Sequence, residues 1–186
     1  MTRLMILDRD GVINRDDVGY INNPSDWHAL PGSLEAMVEL YQAGFTIVIM
    51  TNQSGINRGY LTEDDLSRIH EKMQNQVKAL GGEIAKVYYC WHRPDEGCRC
   101  RKPKTGMLKD MVRDFPDVDL KEAYVVGDSW NDILAGRAMG CKTLLVQTGN
   151  GALALERHGH ELENTTVVAD LRAASQTILA KEGYSS

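Results

Sequence analysis

No apolar run in these 186 residues approaches the ~20 that cross a bilayer. The opening Met1-Thr2-Arg3 leads straight into a short apolar stretch and has none of the sections of a signal peptide. No basic stripe with interleaved aromatics occurs, and 21 Lys and Arg stand against 26 Asp and Glu for a net charge of −5, which argues against nucleic acid as a partner. The four cysteines contain no Cys-x-x-Cys pair, so nothing supports redox chemistry. Linkers, low-complexity tracts and internal repeats are also missing. These absences lead us to expect a cytoplasmic protein, acting as a monomer, with neither membrane nor nucleic acid as a partner. At 42% hydrophobic and 25% charged, residues 1–186 read as one domain with a proper core.

Short apolar runs alternate with amphipathic stretches. Strands are expected at 4–7, 46–50, 86–90, 123–126, 143–146 and 166–168, and helices at 33–43, 62–80, 104–114, 130–139 and 171–181. Several strands are β-branched and lack clean alternation, as in a parallel sheet covered on both faces. Gly44, Gly81-Gly82 and Gly140 fall where helices should stop. Thr62 and Asp65 have capping-box spacing. Repeating β-α units predict an α/β fold, a three-layer α/β/α sandwich with a mostly parallel Rossmann-like sheet. Residues 12–30 and 91–103 are too short for a large cap domain, and residues after about 150 read only as a closing α/β unit.

The first apolar run ends in Asp8-Arg9-Asp10-Gly11. Residues i and i+2 of a strand face the same way, so Asp8 and Asp10 can stand side by side. Paired carboxylates repel unless a cation or a shared proton offsets them. The alternative is a strand followed by an Asp-Gly turn. The second run ends in Thr51-Asn52-Gln53-Ser54-Gly55, whose hydroxyls and N–H groups suit an anion such as phosphate, or which forms a turn with an N-cap. The fourth ends in Gly127-Asp128-Ser129-Trp130-Asn131-Asp132, where Asp128 could be a helix cap. The coincidence at three strand ends favours a site. Asp8, Asp10 and Asp128 make a hard, oxygen-rich set that suits Mg²⁺, and Lys102 supplies an ammonium unless it belongs to a solvated basic loop with Arg101 and Lys104.

Cys90, His92, Cys98 and Cys100 lie in a Cys-x-His-x5-Cys-x-Cys loop. Four such ligands match a closed, structural Zn²⁺ site. Three unrelated thiols are the alternative, which the clustering with His92 and the bends at Pro94 and Gly97 disfavour. Cys141 reads as a small buried residue, and His28, His70, His158 and His160 as surface or core.

With these pieces in order, residues 4–150 resemble the haloacid dehalogenase superfamily of phosphohydrolases. The resemblance implies that Asp8 is the nucleophile, Asp10 the acid and base, and Asp8, the Asp10 carbonyl and Asp128 the Mg²⁺ ligands. Thr51 and the N–H of Asn52 would hold phosphoryl oxygens, and Lys102 would neutralise charge. Asp132 would support the metal or form a helix-face salt bridge. Two branches share the zinc loop: heptose-bisphosphate phosphatases of lipopolysaccharide-core synthesis and histidinol-phosphatases. Thr51-Asn52-Gln53-Ser54-Gly55-Ile56-Asn57-Arg58-Gly59, Gly19-Tyr20-Ile21 and Gly106-Met107-Leu108 resemble the heptose branch. That branch implies a phosphorylated sugar as substrate, touched by Asp8, Arg9 and Asp10, by Asp16, Asp17, Gly19 and Tyr20 of the first loop, by Thr51, Asn52, Gln53 and Ser54, and by Arg101, Lys102 and Ser129. Trp91 replaces a common Pro, the first loop with Val18 is one residue longer, and Ser129 stands where some relatives have Lys.

Overall fold

The computed structural model describes residues 1–17 and 19–184. Its strands are β1 (Leu4–Leu7), β2 (Thr46–Asn52), β3 (Ile84–Cys90), β4 (Tyr124–Gly127), β5 (Lys142–Val146) and β6 (Thr165–Val168). They form one sheet in the order β3-β2-β1-β4-β5-β6, with every neighbouring pair parallel. β2 runs two residues further than its apolar run because Thr51 and Asn52 still pair with Tyr89 and Cys90 of β3. Main-chain pairing, rather than side-chain polarity, sets where that strand ends.

The strand period of two divides the core. Met5, Leu7, Ile47, Ile49, Tyr124 and Val126 face one way and join a large cluster with α1 (Ser33–Gln42), α2 (Glu63–Ala79) and α6 (Leu171–Lys181). Leu4, Ile6, Val48, Met50 and Val125 face the other way and pack on α3 (Gly106–Asp114) and α4 (Trp130–Ala138). Ile133, Leu145 and Ala154 extend that second layer under α5 (Gly151–His158). The result is the expected three-layer arrangement, and buried runs such as Leu4–Leu7 need no alternation because both faces are covered.

Local signals act as anticipated at α2, where Thr62 and Asp65 form a reciprocal capping box. Gly44, Gly81 and Gly140 adopt positive φ after their helices. Two features differ from the sequence expectation. α3 starts at Gly106 rather than at 104, because Lys104 N–H and Gly106 N–H are held by the carbonyls of Arg101 and Arg99 in preceding turns. α5 lies inside the segment read only as a closing unit; its eight residues make barely two turns, too few for a period to stand out.

β1 is flanked by β2 on one side and β4 on the other, so the chain order reverses beside it. Connections leave β1 in opposite directions there, which opens a crevice at the carboxyl ends of the strands. Among the described residues, the segments 8–32 and 91–105 that overhang it carry the 3₁₀ turns Pro24–Asp26 and Pro94–Glu96, and the first also has isolated bridges from Asn14 to Asp10 and Ala29. Ile49 on β2 is wholly buried under this crevice. Ile49→Ala should lower unfolding free energy by about 3 kcal/mol in denaturant titration, the cost of lost burial and a residual cavity.

Candidate active site

Asp8 directly follows β1, and Asp128 directly follows β4, the strand paired with it. The N-cap of α4 is Ser129, whose hydroxyl accepts from Asp132 N–H at 3.3 Å and donates to Asp132 Oδ2 at 2.8 Å. Asp128 is therefore relieved of capping and turns inward, where Asn150 N–H donates to its Oδ2 at 2.9 Å. Gly11 and Gly149 close over it, and a Cβ on either would collide with that same oxygen. Gly11 also holds φ at +79°, so both its shape and its backbone demand glycine.

Lys102 is 3% exposed. Its ammonium lies 2.6 Å from Asp132 Oδ1 and 3.1 Å from Asp8 Oδ1, and donates to the Met50 carbonyl at 2.8 Å. Asp132 has no exposed surface, and its other oxygen is taken by Ser129. Asp132 is thus the interior counter-ion of Lys102 rather than half of an exposed helix-face salt bridge, and it lies close enough to Asp8 and Asp128 to support a metal there. Burial alone would push the lysine pKa down, but the charges of Asp132 and Asp8 outweigh it and hold the ammonium protonated.

Oxygens of Asp8, Asp128 and Asp132 lie within 4.8 Å of one another. Burial, then Asp132, raises Asp8 well above the ordinary carboxylate range, with Lys102 opposing. The same two causes, in the same order, raise Asp128 to about 7. Three carboxylates facing one ammonium leave two negative charges in a desolvated place. A divalent, oxygen-seeking cation is the group that fits such a deficit.

Asp10 is treated differently. Its Oδ1 accepts from Arg9 Nε at 2.9 Å and Asn14 Nδ2 at 3.0 Å, and its Oδ2 accepts from Gln53 Nε2 at 3.0 Å. Burial works to raise its pKa, but the Arg9 charge and these donors prevail and hold it below the usual range. Arg9 is fully buried, so its guanidinium points into the protein rather than toward a substrate. Thr51 Oγ1 accepts from Gln53 Nε2 at 2.9 Å. No helix starts at Thr51, which removes the N-cap alternative.

A cleft of about 330 Å³ opens beside Asp10, lined by Asp16, Gly19, Tyr20, Asn52, Gln53, Ser54 and Arg101. Asp16 is half-buried there, and burial and then Asp10 raise it to about 6. Tyr20 packs against Tyr60 at the open rim as a tilted pair, ring centroids 4.7 Å apart. Asp17 does not line the cleft, being paired with Arg15 at the surface. Ser129 does not line it either and is committed to the α4 cap. Val18 lies outside the described residues.

The loop after β3 brings Cys90, His92, Cys98 and Cys100 together with their ligand atoms within 4.8 Å of one another. Cys100 Sγ lies 2.9 Å from Cys90 Sγ and 3.3 Å from His92 Nδ1. Such a thiol and imidazole set is compatible with zinc. Arg101 N–H donates to Cys98 Sγ at 3.4 Å, and the next residue is tied to β2: Lys102 N–H donates to Asn52 Oδ1 at 3.1 Å and Asn52 Nδ2 to the Lys102 carbonyl at 3.3 Å. The cluster is therefore one residue from the first of the two cations that reach the site.

Sequence reasoning did not find Asn14, His70, Gly149 or Asn150 as parts of this region. His70 is buried on the inner face of α2, and its Nε2 lies 3.2 Å from Arg9 Nη1. Its one signal is an imidazole within an otherwise apolar helical face, a weak pattern.

The HAD-hydrolase-like family model matches residues 99–174. The D-glycero-beta-D-manno-heptose-1,7-bisphosphate 7-phosphatase of Bordetella bronchiseptica is 45% identical over 177 residues, covering 95% of this chain and 98% of that protein. The protein of the same name from Neisseria meningitidis is 44% identical over 178 residues, covering 95% of each. The crystal structure of the D,D-heptose 1,7-bisphosphate phosphatase from B. bronchiseptica, complexed with magnesium and phosphate, superposes with a TM-score of 0.92 at 44% identity over 97% of this chain and 99% of that one. The enzyme of that name from Burkholderia thailandensis gives 0.75 at 38% identity, over 96% and 99%.

Two measurements follow from this geometry. Cys98→Ser should lower bound zinc from about one ion per chain toward none by elemental analysis, and should weaken phosphate binding because Arg101 and Lys102 lose their anchor. Burial and the Arg9 charge drive the His70 pKa down to about 3, so the unfolded state takes up a proton between about pH 6.5 and 3 that the folded state refuses. Its stabilising effect is complete above pH 6.5 and falls by up to about 1.4 kcal/mol per pH unit below it. His70→Gln, which cannot charge, should flatten the acid limb of stability against pH in urea unfolding.

Proposed function

Because this chain belongs to the D-glycero-beta-D-manno-heptose-1,7-bisphosphate 7-phosphatase family of haloacid dehalogenase-like hydrolases, we propose that it removes the 7-phosphate of that sugar, in the β configuration its relatives' names carry, through an aspartyl-phosphate on Asp8. One observation carries the reading: a buried ammonium, Lys102, meets Asp8 and Asp132 beside Asp128, at the strand ends where the sheet order reverses.

Asp8 attacks phosphorus; the new Oδ–P bond replaces the P–O bond to C7, and the sugar oxygen takes a proton from Asp10. Asp10 then accepts a proton from the water that hydrolyses the acyl phosphate and releases free phosphate, which restores Asp8. The three side chains around Asp10 hold its carboxyl still for both steps. Thr51 accepts from Gln53, which leaves its own O–H to donate to a phosphoryl oxygen beside Asn52 N–H. Lys102 neutralises charge on Asp8 and on the phosphoryl group together. Asp8, the main-chain carbonyl of Asp10 and Asp128 would hold Mg²⁺, which when bound draws negative charge from the phosphoryl oxygens and lets two anions approach. Arg101, Asp16, Gly19, Tyr20, Gln53 and Ser54 select the sugar from the cleft, and the planar fork of Arg101 suits its distal phosphate. Zn²⁺ on Cys90, His92, Cys98 and Cys100 has four protein ligands and no open position, so its part is to hold the loop that carries Arg101 and Lys102. The free thiols suit a reducing compartment, so we assign the reaction to the cytoplasm, as a step toward activated heptose for lipopolysaccharide.

Phosphate release should favour the β anomer over the α anomer and histidinol phosphate by about tenfold or more in kcat/KM. Preference for histidinol phosphate would overturn the substrate while keeping the chemistry. Asp8→Asn should lose turnover and keep its melting temperature near that of the wild type, since Lys102 retains Asp132; residual wild-type rates would remove Asp8 as nucleophile.

A further inference from the structure

The reaction above leaves a buried imidazole, His70, without a task, beside the guanidinium that braces Asp10. Arg9 stands between the two reacting aspartates in sequence, yet its side chain has no exposed surface. A guanidinium cannot shed its charge inside a protein, so it requires partners. Toward the site, Nε donates to Asp10 Oδ1 at 2.9 Å and Nη2 lies 2.8 Å from the same oxygen. Away from it, Nη1 lies 3.2 Å from His70 Nε2.

Arginine offers donors only, so His70 Nε2 carries the lone pair and the ring proton sits on Nδ1. The imidazole is neutral, as expected for a ring that is 7% exposed and faces a fixed positive charge. Its other neighbour is the Tyr89 ring at 6.2 Å. The contact with Arg9 is the polar one it makes toward the site.

A guanidinium is planar and rigid, so fixing one corner fixes the edge it offers elsewhere. Asp10 Oδ1 is taken by Arg9 and Asn14, which face inward. Asp10 and Gln53 both line the cleft, and Gln53 reaches the other oxygen, Oδ2. The direction in which Oδ2 points therefore follows from the plane of Arg9. We infer that His70, although it touches no substrate, is a positioning residue: by accepting from Arg9 it locks the guanidinium that aims the Asp10 carboxyl at the leaving oxygen. The inference rests on the reading of Asp10 as acid and base.

Misaiming Asp10 affects both of its proton transfers, but only the first of them enters kcat/KM. When phosphorus passes to Asp8, the breaking P–O bond leaves its electron pair on the departing oxygen, which a sugar alkoxide must have protonated. p-Nitrophenolate departs as a stable anion and needs no proton. The quantity kcat/KM covers the steps through this cleavage, so comparing the two substrates isolates the proton delivery. With Mg²⁺ present, His70→Leu should lower kcat/KM on the heptose bisphosphate about tenfold and leave p-nitrophenyl phosphate within about twofold. His70→Gln, which restores an acceptor, should recover most of the loss.

Equal losses on both substrates, or no loss on either, would overturn the inference, as would failure of His70→Gln to recover activity in a folded protein. If His70→Leu does not fold, Arg9→Lys keeps the charge and loses the fork. It should show the same selective loss, and an equal loss on both substrates would again overturn the inference. Asp10→Asn serves as the control, with a selective loss of about 100-fold expected. Absence of that selectivity would remove Asp10 as the acid. Its presence without any effect at His70 would remove only His70.

Discussion

The ammonium of Lys102 is almost wholly buried beneath the crevice. It stays charged because Asp132 and Asp8 lie within 2.6 and 3.1 Å and the Met50 carbonyl accepts a third proton. Removing one member of such a buried pair costs roughly 3–5 kcal/mol, since the survivor is left unpaired. Much of the nearby structure serves this arrangement. Ser129 rather than Asp128 caps α4, and its reciprocal bonds fix the Asp132 carboxylate at the first turn of the helix. Asn52 clasps the main chain of Lys102 from the end of β2. The cysteine and histidine cluster holds the residues just before it.

The two aspartates after β1 share a motif but not an environment. Asp8 faces Asp132 and Asp128 and has one lysine for company, so its surroundings call for a further cation. Asp10 has its own arginine, an asparagine and a glutamine, and its charge is already balanced. A separation of 2 residues thus yields one carboxylate whose surroundings call for a further cation and one whose charge its own neighbours balance. Arg9 makes the division by folding back under the strand end instead of reaching outward.

The strands, most helices and the three-layer plan were legible because each rests on local pattern. Leu4–Leu7 is too short for a helix and apolar on both faces, and Thr62 with Asp65 caps α2 through neighbours in sequence. α5 was missed because Gly151–His158 is only eight residues long, too short for its period to stand out. At the site, Asp8, Asp10, Thr51, Lys102 and Asp128 could be named since their motifs stand at strand ends or in the loop between them. The partners that tune them are far along the chain: His70 is 61 residues from Arg9, and Asn150 is 22 from Asp128. No spacing rule links such pairs, because a hydrogen bond formed only after the layers pack leaves no periodic trace.

The sequence by itself determined which atoms this protein brings to a phosphate: carboxylates at two strand ends, a hydroxyl at a third, an ammonium, and a compact set of thiols and an imidazole. Those identities are local, fixed by side-chain chemistry and by the period of a strand. The tertiary structure alone decided their charges and directions. Burial between packed layers strips away water, so the distances from Lys102 to Asp8 and Asp132, and from Arg9 to Asp10 and His70, decide which groups hold protons and where each one points.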